Sequence, residues 1–134
     1  TTSFVYDDAG RLLSTTNALL QTTSTTYRPD GSKASVRDAL GRVTKFEYDG
    51  AGRLGTTIHP DNTSWNDADN PRSHVAYDAL GRKRSQTDEM QRTTTFEYNA
   101  AGQLTAVIDA LQQRTVYGYD SRGRKVSQTD ALNR

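Results

Sequence analysis

The chain has 134 residues, a net charge of +1, two histidines and no cysteine; hydrophobic residues make up only 33% of it. That apolar share lies well under the roughly 45–50% of ordinary globular domains, a figure that also counts glycine. It argues against a thick core, and near-neutrality gives no pull toward nucleic acid or acidic membranes. The lack of cysteine excludes disulfides and thiolate metal sites, and no stretch approaches the roughly 18 apolar residues of a membrane-spanning helix.

In chain order, the first element is a strand ending at Tyr6, in "FVYDDAGRL", and its turn then recurs. Versions of it begin at Tyr27 ("YRPDGSK"), Tyr48 ("YDGAGRL"), Tyr77 ("YDALGRK"), Tyr98 ("YNAAGQL") and Tyr119 ("YDSRGRK"). Successive tyrosines keep one constant spacing except between Tyr48 and Tyr77, where the interval carries an insertion of 8, placed within about 62–75. A second motif follows the tyrosines at an equally constant offset: "NALLQ" at Asn17, "DALGR" at Asp38, "DEMQR" at Asp88, "DALQQ" at Asp109 and "DALNR" at Asp130. His59 holds the corresponding slot after Tyr48.

In most copies both motifs place Asp or Asn three positions before Gly or a polar residue. Asp at the first position of a type I turn accepts hydrogen bonds from the backbone ahead of it. Gly at the fourth position takes a positive φ that a side chain resists, and the combination closes a hairpin with a bulge. The turn residues are thus Asp7, Gly10 and Arg11; Gly31; Asp38, Gly41 and Arg42; Asp49, Gly52 and Arg53; Asp78, Gly81 and Arg82; Gly102; and Asp120, Gly123 and Arg124. Between turns, "VTKFEY" and "TTTFEY" alternate with period two, a strand signal, and helical spacing is absent. The prediction is an all-β chain of tandem antiparallel hairpins forming an extended, twisted sheet. Tyrosines line one face beside Leu12, Leu54 and Leu104, and Thr, Ser, Lys, Arg and Glu cover the other. Strands such as "KRSQT" and "KVSQT" are too polar for a dry core. Stability in such a sheet comes from ladder hydrogen bonds and cross-strand pairs, each worth about 0.2–1 kcal/mol.

Six copies of the tyrosine motif on this period, with "DALGR" between them, resemble RHS repeats, also called YD repeats. The resemblance covers the chain apart from the insertion near Trp65. It implies a segment of a hollow β-shell, as in insecticidal toxin complexes, bacterial RHS effectors and teneurins. In bacterial members that shell encloses a C-terminal toxin, secreted or delivered to the outside of the cell. On this reading residues 1–134 are one repeat segment of a longer chain, beginning inside a strand and stopping inside a turn. Its partners are the remainder of the parent shell and an enclosed toxin polypeptide, and its open edges invite self-association. A core-closing segment with a self-cleaving Asp is not recognisable in it.

Competing chemistry is weak. The turn-start aspartates, including Asp88, Asp109 and Asp130, are explained as turn caps, and neither His59 nor His74 is flanked by a nucleophile or acid partner. No enzyme activity, metal or cofactor is expected. Asp61 to Asn70 lacks the Gly and Glu that a calcium loop requires. The arginines after the glycines face nearby carboxylates, so charge pairing is favoured over a nucleic-acid face. The alternative function is a module binding carbohydrate or a cell-surface partner, with Trp65 as its ligand contact.

Overall fold

The computed structural model describes residues 1–61 and 69–134. Twelve strands and no helix are found among them, so the chain is all-β. It divides into two compact units, Thr1–Arg72 and Ser73–Arg134. The first unit holds β1 (Ser3–Tyr6), β2 (Leu12–Thr16), β3 (Thr22–Tyr27), β4 (Lys33–Arg37), β5 (Val43–Tyr48) and β6 (Leu54–Ile58). In the second are β7 (Arg72–Tyr77, which starts on the last residue of the first), β8 (Lys83–Thr87), β9 (Thr93–Tyr98), β10 (Leu104–Ile108), β11 (Arg114–Tyr119) and β12 (Lys125–Thr129). Within each unit the spatial order is the chain order, and every neighbouring pair is antiparallel. Thr, Tyr and Val, which fit a pleated surface, dominate the strands. After β6, the His59 amide donates to the Pro71 carbonyl at 2.8 Å.

Apart from the connection between β6 and β7, the hairpins close in the same way. In the first, the Asp7 amide donates to Arg11 O (3.0 Å) and the Gly10 amide to Asp7 O (2.9 Å). The fourth residue then sits at positive φ: Gly10 at 76°, Gly31 at 86°, Gly41 at 83° and Gly81 at 81°. Four turns of the second motif put a side chain there instead, Leu20, Gln91, Gln112 and Asn133, at φ of 60–63°. These residues accept a left-handed conformation that glycine adopts at no steric cost.

The tyrosine hairpins carry an additional bulge that period-two reading does not foresee. Tyr6 pairs with Leu12 but Val5 pairs with Ser14, so Leu13 has no partner on β1. The same slip falls at Ala34, Gly55, Arg84, Thr105 and Val126. A bulged strand shows two residues opposite one, so its side chains change faces after the extra residue. Positions such as Leu12 and Thr15, or Lys83 and Gln86, thereby share a face although they are three apart. Lys83 Nζ does donate to Gln86 Oε1 at 2.9 Å, and Lys125 Nζ to Gln128 Oε1 at 3.1 Å.

This corrects the expected division of faces. Leu12, Leu54 and Leu104 do lie opposite Tyr6, Tyr48 and Tyr98. Lys33, Lys83 and Lys125, however, pair with Tyr27, Tyr77 and Tyr119 and stand on the aromatic face, not the polar one. Lys83 Nζ lies 5.8 Å from the Phe96 ring centre and Lys125 Nζ 5.2 Å from that of Tyr117, close enough for cation–π attraction. The two buried apolar residues, Ile58 (5% exposed) and Ala106 (0%), are on the opposite face, paired with Lys45 and Glu97. Glu97 and Arg114 join in a two-pronged salt bridge of 2.7–2.8 Å from β9 to β11. It crosses β10 on the face of Ala106, which is fully buried. No larger apolar side chain than that of Ile58 is buried among the described residues.

Candidate functional site

The site is the repeat junction itself, and it starts from the turn carboxylates. Asp7 Oδ1 accepts from the amides of Ala9 (3.0 Å) and Arg11 (2.8 Å), while Oδ2 accepts from Arg11 Nε (2.7 Å). Asp38–Arg42, Asp49–Arg53, Asp78–Arg82, Asp88–Arg92, Asp120–Arg124 and Asp130–Arg134 repeat that arrangement, with Nε–Oδ2 distances of 2.6–3.1 Å. Hydrogen bonds from the Arg42 and Arg92 side chains hold the carboxyls of Asp38 and Asp88 below the ordinary range. Backbone donation from Arg11 and Arg124 does the same first for Asp7 and Asp120. Where the first residue is Asn, the fifth is Gln: Asn17 Nδ2 donates to Gln21 Oε1 at 2.8 Å and Asn99 Nδ2 to Gln103 Oε1 at 2.7 Å. The amide pair reproduces the shape of the ion pair without charge. The Asp–Arg pairs agree with the charge pairing expected for the arginines after the glycines; the Asn–Gln pairs were not anticipated, although residues one and five of those two motifs display them.

The tyrosines fasten one repeat to the next. Tyr27 Oη donates to Leu12 O (3.0 Å), Tyr48 Oη to Lys33 O (3.0 Å), Tyr98 Oη to Lys83 O (2.9 Å) and Tyr119 Oη to Leu104 O (2.8 Å). Each receiving carbonyl belongs to the residue just before a bulge, where the strand has left the regular ladder. The bulge opens a backbone acceptor, and the tyrosine of the following repeat fills it. Arginine closes the other side: Arg11 lies 4.7 Å from the Tyr27 ring centre and Arg82 4.5 Å from that of Tyr98. In "YRPDGSK" the arginine has moved from the fifth turn position to the first, and Arg28 still stands 5.2 Å from the Tyr48 ring centre. The degenerate motif keeps the cation over the ring by another route. Gln103, which replaces arginine before Tyr119, donates instead to Gly123 O at 3.2 Å.

His59 directly follows β6, and His74 is exposed in β7. Trp65, and most of the span weighed for calcium, lie outside the described residues. The turns of the second motif end in exposed apolar tips: Leu19, Leu40, Met90, Leu111 and Leu132 are each at least 69% exposed. On the second unit these tips wall two grooves. One, of about 460 Å³, lies against Gln86, Thr94, Phe96 and Leu111; the other, of about 150 Å³, lies against Val107, Thr115 and Leu132. The second is the first shifted by one whole repeat, and Asp109 borders both.

A family model of the RHS repeat matches residues 34–64, 77–113 and 98–134, which together take in most of the chain. The chain belongs to the RHS-repeat family. Its fold matches that of a TcdB2-TccC3-Cdc42 crystal structure, with a TM-score of 0.75 at 19% identity over 96% of this chain. TcdB2-TccC3 matches at 0.74 and 19% over the same share. The Tc holotoxin pore of Photorhabdus luminescens, carrying a TccC3 substitution, matches at 0.69 and 19%, again over 96%. The RHS segment spans only 7–8% of the length of those chains. No curated protein sequence matches it significantly. The repeat junctions described above are therefore RHS-repeat junctions, and the segment is a structural repeat.

Proposed function

We propose that this RHS segment is wall, one part of a shell that separates an enclosed toxin or effector polypeptide from solvent and proteases. The observation that carries the reading is the near-absence of buried apolar side chains among the described residues, in a sheet whose repeats are fastened by side-chain hydrogen bonds. A sheet of this kind gains nothing from wrapping around its own centre, and both faces tolerate water or a loosely packed passenger. No catalytic step is assigned to it. Its partners are the rest of the parent wall, which the outermost strands β1 and β12 can continue, and the passenger. Secretion or delivery outside the producing cell follows from the same reading.

Limited proteolysis of the parent protein tests the proposal. With the wall intact, the passenger survives protease concentrations that digest it when free. With Tyr98→Phe and Tyr119→Phe weakening the junctions, the passenger is cut sooner than the wall itself. A passenger digested equally fast with and without the wall overturns the proposal.

A further inference from the structure

We infer that the grooves on the aromatic face of the second unit bind an unfolded polypeptide in polyproline-II conformation, with apolar side chains every third residue and a basic residue between them. This rests on the encapsulation reading and names which features of a passenger the wall would hold. Three observations support it.

The grooves repeat. Gln86, Thr94 and Leu111 of the first correspond to Val107, Thr115 and Leu132 of the second, two strands further on. Two strand spacings are about 9.6 Å. A polyproline-II chain rises about 3.1 Å per residue and turns once in three, so residues i and i+3 point the same way about 9.3 Å apart. A β-strand brings side chains to one side at about 6.8 or 13.6 Å, which fits poorly. Polyproline-II is also a major conformer of unfolded chains.

The walls are unfinished. Leu111 and Leu132 are 77% and 69% exposed and overhang these grooves, so a side chain laid between them removes apolar surface from water.

The charge is complementary. Seven of the eight turn-start aspartates hold an arginine four positions on. Asp109 is the eighth, and Gln113 stands where the arginine would be. Its Oδ1 accepts from the amides of Leu111 (2.9 Å) and Gln113 (2.8 Å), and Oδ2 meets no cation among the described residues. It borders both grooves, beside Arg92 in the first and Arg134 in the second, each already paired with its own turn aspartate, so a lysine or arginine between two seated apolar residues finds its counter-ion at Asp109.

The test is a fluorescence-anisotropy titration of the full chain with three labelled peptides. One repeats Leu-Pro-Lys, one alternates Leu and Lys at strand period, and one carries the same residues on a helical heptad. The first is expected to saturate at least about tenfold more tightly than the others. Asp109→Asn weakens it about threefold to fivefold and flattens its salt dependence. The variant leaves unchanged the binding of a Leu-Pro-Gln peptide. Folding is not at risk, because Asn over Gln113 recreates the Asn17–Gln21 and Asn99–Gln103 pairs already present. Equal binding of all three basic peptides, which is plain charge attraction, overturns the inference, as does a D109N variant that binds like the parent. Signal explained by self-association of the chain overturns it too. A protected passenger with no peptide binding defeats the grooves but not the wall; peptide binding beside an unprotected passenger defeats the wall but not the grooves.

Discussion

At the scale of the residue, the first and fifth positions of most turns act as a matched pair, and the match has a consequence in acid. The folded carboxyls of Asp38, Asp88, Asp7 and Asp120 sit below their ordinary values because hydrogen bonds from the fifth residue favour the charged form. In the unfolded chain these groups titrate near ~3.9. A depressed folded value makes their stabilisation fully present above the unfolded pKa, and it is lost as pH falls through the folded one. The urea midpoint of the chain should therefore hold level from about pH 8 to 5 and drop below about pH 4. Asp88→Asn combined with Arg92→Gln installs the uncharged pair found at Asn17–Gln21. That double variant should lose less of its midpoint between pH 5 and 3 than the parent does. An equal loss in both would mean that the turn ion pairs do not govern the acid limb. The aspartates and glycines of these turns were legible in the sequence because a type I turn with a positive-φ closure demands them. Their pairing with position five was visible too, but it becomes a physical statement only when Oδ2 and Nε are seen 2.6–3.1 Å apart.

At the scale of the element, strand positions followed from turn spacing, and every second strand then departed from simple alternation. The bulge after each tyrosine hairpin is invisible to a period-two reading, since one extra residue in so short a strand leaves no compositional mark. That is why Lys33, Lys83 and Lys125 were expected on the polar face and stand on the aromatic one. It also explains why the tyrosine hydroxyls went unforeseen: each bonds a carbonyl that only the bulge exposes. The same logic separates the tyrosines into two classes. Tyr98 and Tyr119 donate to the preceding repeat, whereas Tyr6, 56% exposed, makes no such bond among the described residues. Tyr98→Phe and Tyr119→Phe should each destabilise the chain by about 1 kcal/mol, read from denaturant midpoints, because each strands a backbone acceptor. Tyr6→Phe should change the midpoint by no more than a few tenths. Equal effects at all three positions would show that ring burial, not the hydroxyl bond, joins the repeats. Ala106 belongs to this scale as well: it is fully buried on the face that carries the Glu97–Arg114 bridge, so added side-chain volume must displace its neighbours. Ala106→Leu is expected to lower stability by about 1–3 kcal/mol in the same assay.

At the scale of the whole molecule, the polar composition foretold a sheet held by many small junctions. The described residues agree, with Ile58 and Ala106 the only apolar side chains among them withdrawn from water. Membership of the RHS-repeat family was legible from the tyrosine period, because six copies in phase constrain far more than one. The grooves of the second unit were not, since they depend on which turn tips stand beside which strands. Nor was the isolation of Asp109, which matters only once the other seven turns are seen to neutralise their own charge. The central claim is that repeat-to-repeat fastening, not burial of a core, holds this chain folded, and heat capacity reads it most directly. Unfolding exposes apolar surface in proportion to what was buried, and compact proteins of 134 residues gain about 1.6–2.0 kcal/mol/K. Scanning calorimetry should return about 1 kcal/mol/K or less for this chain; a value within the compact range would contradict the account.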